Sequence, residues 1–197
     1  MKITDFLRLE IRKVITETFE AIEGEKVSIE PIKKSEIDFI LNSCDRNMQI
    51  PHFDKACSDK VAGNRLQTIA DWKSSIKLVK NGSVIGFYIF SKQQPIDFIE
   101  MVKDYGIYFN ILDKKLFNEI NTKKGVEGLA LGINKEERGS GYGRTLMEYP
   151  KKMGYEYIWG IQTKGLSDIE KWTKRRKIVA NAKTPDGQEF WITVEIF

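Results

Sequence analysis

The chain has 197 residues, 41% of them hydrophobic, and its 32 basic and 28 acidic side chains leave a net charge of +4. That length and apolar content suit one globular domain with a sizeable core, and so mild a charge is no argument for a nucleic-acid partner. No apolar run approaches the roughly 20 residues that cross a bilayer, and Asp5, Glu10 and Arg12 interrupt any signal-like start.

Cys44 and Cys57 stand in no metal-ligand spacing. Two reduced thiols in a cytoplasmic protein, with no membrane association and no bound metal, are the expectation, with a single disulfide as the alternative.

In chain order, residues 3–22 carry Ile3, Leu7, Ile11, Val14, Ile15, Phe19 and Ile22 at three- and four-residue steps. That period predicts an amphipathic helix, closed by Glu23-Gly24-Glu25. Residues 26–31 alternate like a short strand, and Ser35 reads as the N-cap of a helix reaching about Cys44. A further helix over 54–61 fits the pattern before a stop at Gly63. Residues 75–80 and 83–90 flank Asn81-Gly82, the pair that favours a type I′ turn, and predict a hairpin. Residues 91–124 read as a mostly helical insert.

A strand follows over 126–133, then a helix over 141–153 and an aromatic-rich strand over 155–162. Ser167 with Glu170 three residues on opens a helix over 166–176. Residues 178–183 and 189–197 form a closing hairpin over Pro185-Asp186-Gly187. The fold class is α/β: a mixed central sheet flanked by helices, with an extra N-terminal helix (1–25) ahead of a domain over 26–197.

The richest motif is Arg138-Gly139-Ser140-Gly141-Tyr142-Gly143-Arg144, set between a strand and a helix. Glycines at alternate positions let successive N–H groups converge, and the helix start adds unpaired N–H groups and a positive dipole end. A phosphate or pyrophosphate is the natural guest. The spacing is not that of a dinucleotide fingerprint, because Arg144 stands where the third glycine belongs. Nor is it a P-loop, because Gly143 is followed by Arg144-Thr145.

Arg-x-x-Gly-x-Gly at Arg138, Gly141 and Gly143, after an apolar strand, resembles the coenzyme A pyrophosphate loop of the GNAT superfamily of N-acetyltransferases. The order of elements over 26–197 is similar too. The resemblance implies acetyl-CoA as acyl donor and an amine, on a small molecule or a protein, as acceptor. Its cofactor-binding residues would be Leu131, Gly132, Ile133, Arg138, Gly139, Ser140, Gly141, Gly143 and Arg144, with Lys135 as a further cation for the phosphates. The pantetheine arm would lie where the strand over 126–133 splays from the one over 155–162. Gly128, Ala130 and Gly132 leave one strand face nearly bare, which suits either that arm or a tightly packed helix.

Glu127, the carboxylate on this strand, falls where many relatives carry a base; as an alternative it is an ordinary charge at a strand end. The resemblance also calls for a tyrosine acid on the helix 166–176, but Trp172-Thr173 stand there and no tyrosine does. Pro150 implies a kink or an early helix end near Tyr149. His52, the sole histidine, and the basic run Lys171, Lys174, Arg175, Arg176 and Lys177 read as turn and solvated-face residues, with contact to a coenzyme A phosphate or an anionic macromolecule as the alternative for the run. Two alternatives to an enzyme of this class follow: a GNAT-fold binding or structural protein of phage type, and a nucleic-acid-directed acyltransferase resting on the basic run alone.

Overall fold

The computed structural model describes residues 26–36, 39, 69–163, 175–184, 187 and 189–197. The expected helices over 3–22, 54–61 and 166–176, together with His52 and both cysteines, lie wholly or almost wholly outside those residues.

Eight strands are hydrogen-bonded in the order β1-β2-β3-β5-β6-β8-β7-β4. They are β1 (Val27–Pro31), β2 (Ile76–Lys80), β3 (Ser83–Ser91), β4 (Tyr108–Ile111), β5 (Gly125–Ile133), β6 (Tyr157–Thr163), β7 (Lys177–Lys183) and β8 (Glu189–Ile196). Among the described residues the α-helices of more than one turn are α1 (Pro95–Lys103), α2 (Lys114–Ile120) and α3 (Tyr142–Lys152). β5 and β6 pair in parallel, whereas β1–β2, β2–β3, β4–β7, β6–β8 and β7–β8 are antiparallel. The sheet is mixed, as expected.

The contacts divide the chain into two compact units, with the described part of the first comprising β1, residues 71–89 and residues 130–149. Its hairpin turns at Asn81 (φ 51°) and Gly82 (φ 82°). Two consecutive positive φ values are the requirement of a type I′ turn, and Asn-Gly is the pair that meets it most cheaply. In the same unit a Cβ on Gly86 would stand 2.9 Å from the Gly132 carbonyl oxygen and 2.6 Å from Ile133 Cδ1. Close backbone approach thus accounts for that glycine.

The second unit holds residues 90–129 and 150–197. Its core joins Phe98, Ile99 and Val102 of α1 and Leu116, Phe117 and Ile120 of α2 to Tyr157, Trp159, Val179, Phe190, Ile192 and Val194 of the strands. Phe98 and Trp159 meet with ring centroids 5.8 Å apart. The Trp159 Nε1–H donates to the Gln93 carbonyl at 2.9 Å, so the one polar atom of that buried indole is satisfied.

Two expectations change here. The segment 91–124 contains a strand, β4, between its helices. Four residues with an exposed-to-half-buried alternation carry too little periodicity to be read in sequence; pairing with β7 defines them. The helix after the glycine loop also runs through Pro150 to Lys152, close to the expected 141–153, so the early end, one of the two outcomes expected at Pro150, does not occur. Proline forfeits only its own N–H bond, and the last turn is closed otherwise. Gly154 (φ 76°) donates to Lys151 O at 3.0 Å and Tyr155 N–H donates to Pro150 O at 3.1 Å, a paired C-terminal cap.

Candidate active site

β5 carries Glu127, Leu131, Gly132 and Ile133 of the residues that the sequence singles out, and its two ends differ. At its start, Gly125, Val126 and Glu127 pair with Tyr157, Ile158 and Trp159. The register stops at Glu127–Trp159, although β6 continues to Thr163 paired with β8 and β5 continues to Ile133. This is the short parallel start that the resemblance implies.

Glu127 is only 1% exposed. As the register partner of Trp159, it shares the sheet face on which Trp159 meets Phe98. It is therefore not an ordinary charge at a strand end. A carboxylate removed from water to this degree loses several kcal/mol of hydration unless other groups compensate, so such residues are rare outside working sites and buried pairs.

Beyond Glu127, Gly128, Leu129, Leu131 and Ile133 are half-buried, whereas Ala130 and Gly132 are buried. The Ile133 carbonyl accepts from Arg138 Nε at 3.3 Å, tying the loop's first arginine back onto the end of its own strand. A one-turn 3₁₀ segment, Lys135–Glu137, follows, and Glu137 bridges to Lys80 at 3.2 Å.

The loop then reaches α3. Gly139 (φ 90°) and Gly141 (φ 83°) lie in the left-handed region, which explains glycine at both positions. Thr145 N–H donates to Gly141 O at 3.1 Å, the first bond of α3, so Gly141 occupies the cap position. A glycine cap has no side chain to satisfy the first-turn N–H groups, and Tyr142, Gly143 and Arg144 come too early for helical acceptors.

Gly143 is different again. It sits in the first turn of α3, its φ is not positive, and a Cβ there would meet only Ile133 Cγ1 at 3.8 Å, an ordinary contact. A helical glycine costs about 0.5–1 kcal/mol relative to alanine. Neither backbone geometry nor packing requires it at this position. The glycines of this loop thus leave open space outside, with no heavy atom within 4 Å of a Cβ built on Gly139 or Gly141. Arg144 is largely exposed and reaches Glu148 only at 4.0 Å.

Two tyrosines near these strands are poor replacements for the tyrosine that the helix 166–176 lacks in sequence. Tyr157 is fully buried, and its hydroxyl donates to Gln94 Oε1. Burial, reinforced by the negative charges of Asp97 and Glu156, pushes its pKa well above the usual phenol value. Tyr149 on α3 is buried with no hydrogen-bond partner for its hydroxyl, and burial raises its pKa as well.

Sequence reasoning misplaced Arg176. Its side chain is only 9% exposed and its Nε stands 3.8 Å from Glu195 Oε2, so it does not belong to a solvated face. Arg175 and Lys177 remain exposed. The glutamate nineteen residues on gives no periodic signal that pairs it with Arg176. Among the described residues no cluster of histidine, cysteine and carboxylate groups could hold a metal ion, and no helix is long and apolar enough to cross a membrane.

No family profile matches the chain, and no curated protein matches it in sequence. Solved structures do match it in fold. Ard1 from Thermoplasma volcanium superimposes with a TM-score of 0.54 at 12% identity, covering 86% of this chain and 97% of that one. Arylalkylamine N-acetyltransferase 2 from Aedes aegypti gives 0.54 at 14% identity, over 86% and 98% of the two chains. Arabidopsis thaliana Naa50, solved with the bisubstrate analogue CoA-Ac-MVNAL, gives 0.51 at 14% identity over 87% and 99%. The chain has the GNAT fold.

Proposed function

We propose that this GNAT-fold chain belongs to that superfamily and is an acetyl-CoA-dependent N-acyltransferase, acting in the cytoplasm on an amine carried by a small molecule or a protein. The observation that carries this reading is the loop. Two glycines are required by their φ values, and the third, Gly143, has no reason within the protein, yet it stands beside first-turn N–H groups that no cap satisfies. A pyrophosphate lying against the backbone would account for that third glycine and would take up those donors.

In this reading the N–H groups around Ser140, Gly141, Gly143 and Arg144 hold the pyrophosphate, and Gly139 supplies the bend. Arg138, Arg144 or Lys135 meets the remaining phosphate charge. Leu131, Gly132 and Ile133 flank the pantetheine arm along the strand that feeds the loop.

Transfer to an amine requires removal of one proton, and Glu127 is the base. Its burial keeps the carboxylate away from competing water. A second reading, coenzyme A binding without transfer, is favoured by one observation: residues 166–176 contain no tyrosine to protonate the leaving thiolate.

Acetyl-CoA should raise the melting temperature by mass action, and thiol release should appear with some member of a broad amine panel. The absence of a shift at millimolar acetyl-CoA removes the first reading. A shift without thiol release leaves the second. For an active enzyme, Glu127→Gln should cut turnover by about 10²–10⁴-fold with coenzyme A affinity nearly unchanged, and raising the pH should partly restore it. An unaltered pH–rate profile would remove Glu127 from the base role.

A further inference from the structure

Gly139 and Gly141 reach their left-handed φ values without strain, but glycine also leaves a chain many other conformations to visit. A loop whose N–H groups already converge binds an anion more tightly than one that must be ordered on binding. Its two ends therefore matter as much as its glycines.

The entry end is tied in steps. Asn134 N–H donates to Ile85 O of β3 at 2.8 Å, anchoring the chain as it leaves β5. Glu137 N–H donates to Asn134 O at 3.0 Å and Arg138 N–H to Lys135 O at 3.3 Å, which closes the 3₁₀ turn. The Glu137 carboxylate then accepts from Lys80 Nζ on both oxygens, each at 3.2 Å. The same Nζ stands 6.0 Å from the centroid of the Tyr142 ring, at the reach of a cation–π contact. Glu137 comes just before Arg138-Gly139, and Tyr142 directly follows Gly141. One ammonium group thus meets both ends of the loop.

Lys80 is itself held at its root. It closes β2, paired with Val27 of β1 on one side and with Ser83 of β3 on the other. The Asn81-Gly82 turn follows it, where Asn81 N–H donates to Lys26 O at 3.0 Å and Asn81 Oδ1 accepts from Lys26 N–H at 3.2 Å. The Lys80 and Glu137 side chains are 18% and 21% exposed, so water and salt screen their attraction less than at an open surface.

We propose that Lys80 is a positioning residue for the glycine loop. Through Glu137 at the entry and Tyr142 at the exit, it holds the loop in its converged geometry before the anion arrives. The inference rests on the reading of that loop as the pyrophosphate site of coenzyme A. It makes Glu137, a carboxylate near an anion site, favourable to anion binding. Charge alone predicts the reverse, because removing Glu137 takes a negative charge away from the pyrophosphate and leaves Lys80 to attract it. The two accounts differ in sign.

Calorimetry of coenzyme A binding to the full chain reads that sign. Glu137→Gln should weaken binding about fivefold, and Lys80→Met should weaken it by at least as much. The double variant should bind no more weakly than Lys80→Met alone, since both substitutions break one contact. Amide hydrogen exchange in the ligand-free chain reads the restraint without the ligand. In Lys80→Met, Arg138 N–H and Thr145 N–H should exchange several-fold faster, while Asn134 N–H, bonded to Ile85 O, keeps its wild-type rate. A wild type that binds no coenzyme A at about 1 mM removes the pyrophosphate reading and this inference with it. A wild type that binds, with Glu137→Gln binding as tightly or more tightly, overturns the positioning role alone. Unchanged exchange at Arg138 and Thr145 overturns it too, as does equally faster exchange at Asn134, which marks a general loss of stability.

Discussion

The two ends of β5 both depend on glycine, for opposite reasons. At the start, a Cβ on Gly125 would fall inside the ring of Tyr157, whose hydroxyl is fixed by Gln94. That glycine makes room for the protein's own core. Past the other end, glycines at 139 and 141 serve backbone geometry, and glycine at 143 serves nothing inside the protein. In sequence all of them are the same letter. What separates them is whether the space a side chain would take is already filled, and the unfilled positions of the loop are where a ligand is to be sought.

The largest effect expected from testing this contrast is at Gly141. Gly141→Asp places a carboxylate at the cap of α3, where it would bond the free N–H groups and repel a pyrophosphate. Coenzyme A binding measured by calorimetry should be abolished. Wild-type affinity would show that the anion sits elsewhere and would dissolve the contrast.

Next in size is Gly125→Ala, which forces Tyr157 to move. Overpacking of a filled core costs about 1–3 kcal/mol, so the midpoint of urea denaturation should fall, while the folded variant binds coenzyme A as the wild type does. A neutral result would mean that the ring yields freely and that Gly125 is not a packing glycine.

Gly143→Ala should act with the opposite sign on stability. Alanine in the first turn of a helix stabilises by about 0.5–1 kcal/mol, so the thermal midpoint should rise while coenzyme A affinity drops. A rise in stability with no loss of affinity would show that nothing approaches Gly143.

The smallest effect concerns pH. Burial raises the pKa of Tyr157 in the folded state above its unfolded value of about 10. The stability that this contributes is complete below about pH 10 and is lost as the pH rises further, because the unfolded chain ionises first. Tyr157→Phe should therefore flatten the alkaline decline in denaturation midpoint. It should also cost about 1 kcal/mol at neutral pH for the bond to Gln94. An equally steep alkaline limb in the variant would assign that limb to other groups.

Legibility in the sequence followed the range of the interaction concerned. Asn81-Gly82 was readable because a type I′ turn is decided by two adjacent residues, and the loop over 138–144 was readable because its φ requirements are equally local. The reading of Pro150 was half right. Proline does remove a bond, but the cap formed by Gly154 and Tyr155 closes the last turn regardless. β4 was not readable, since four residues become a strand only when β7 lies beside them. Arg176 was assigned to a solvated face because its neighbours are basic, whereas the carboxylate it approaches lies on β8.

The sequence by itself determined the order of the described strands other than β4, the hairpin turn, the glycine loop and the helix it opens, because propensity, period and backbone sterics act within a few residues. Only the tertiary structure decided that Glu127 is buried in register with Trp159 of β6, that β5 and β6 part after three paired residues, and that β4 stands last in the sheet order. Burial, register and edge position depend on residues distant in the chain, and no local pattern encodes which of them will meet.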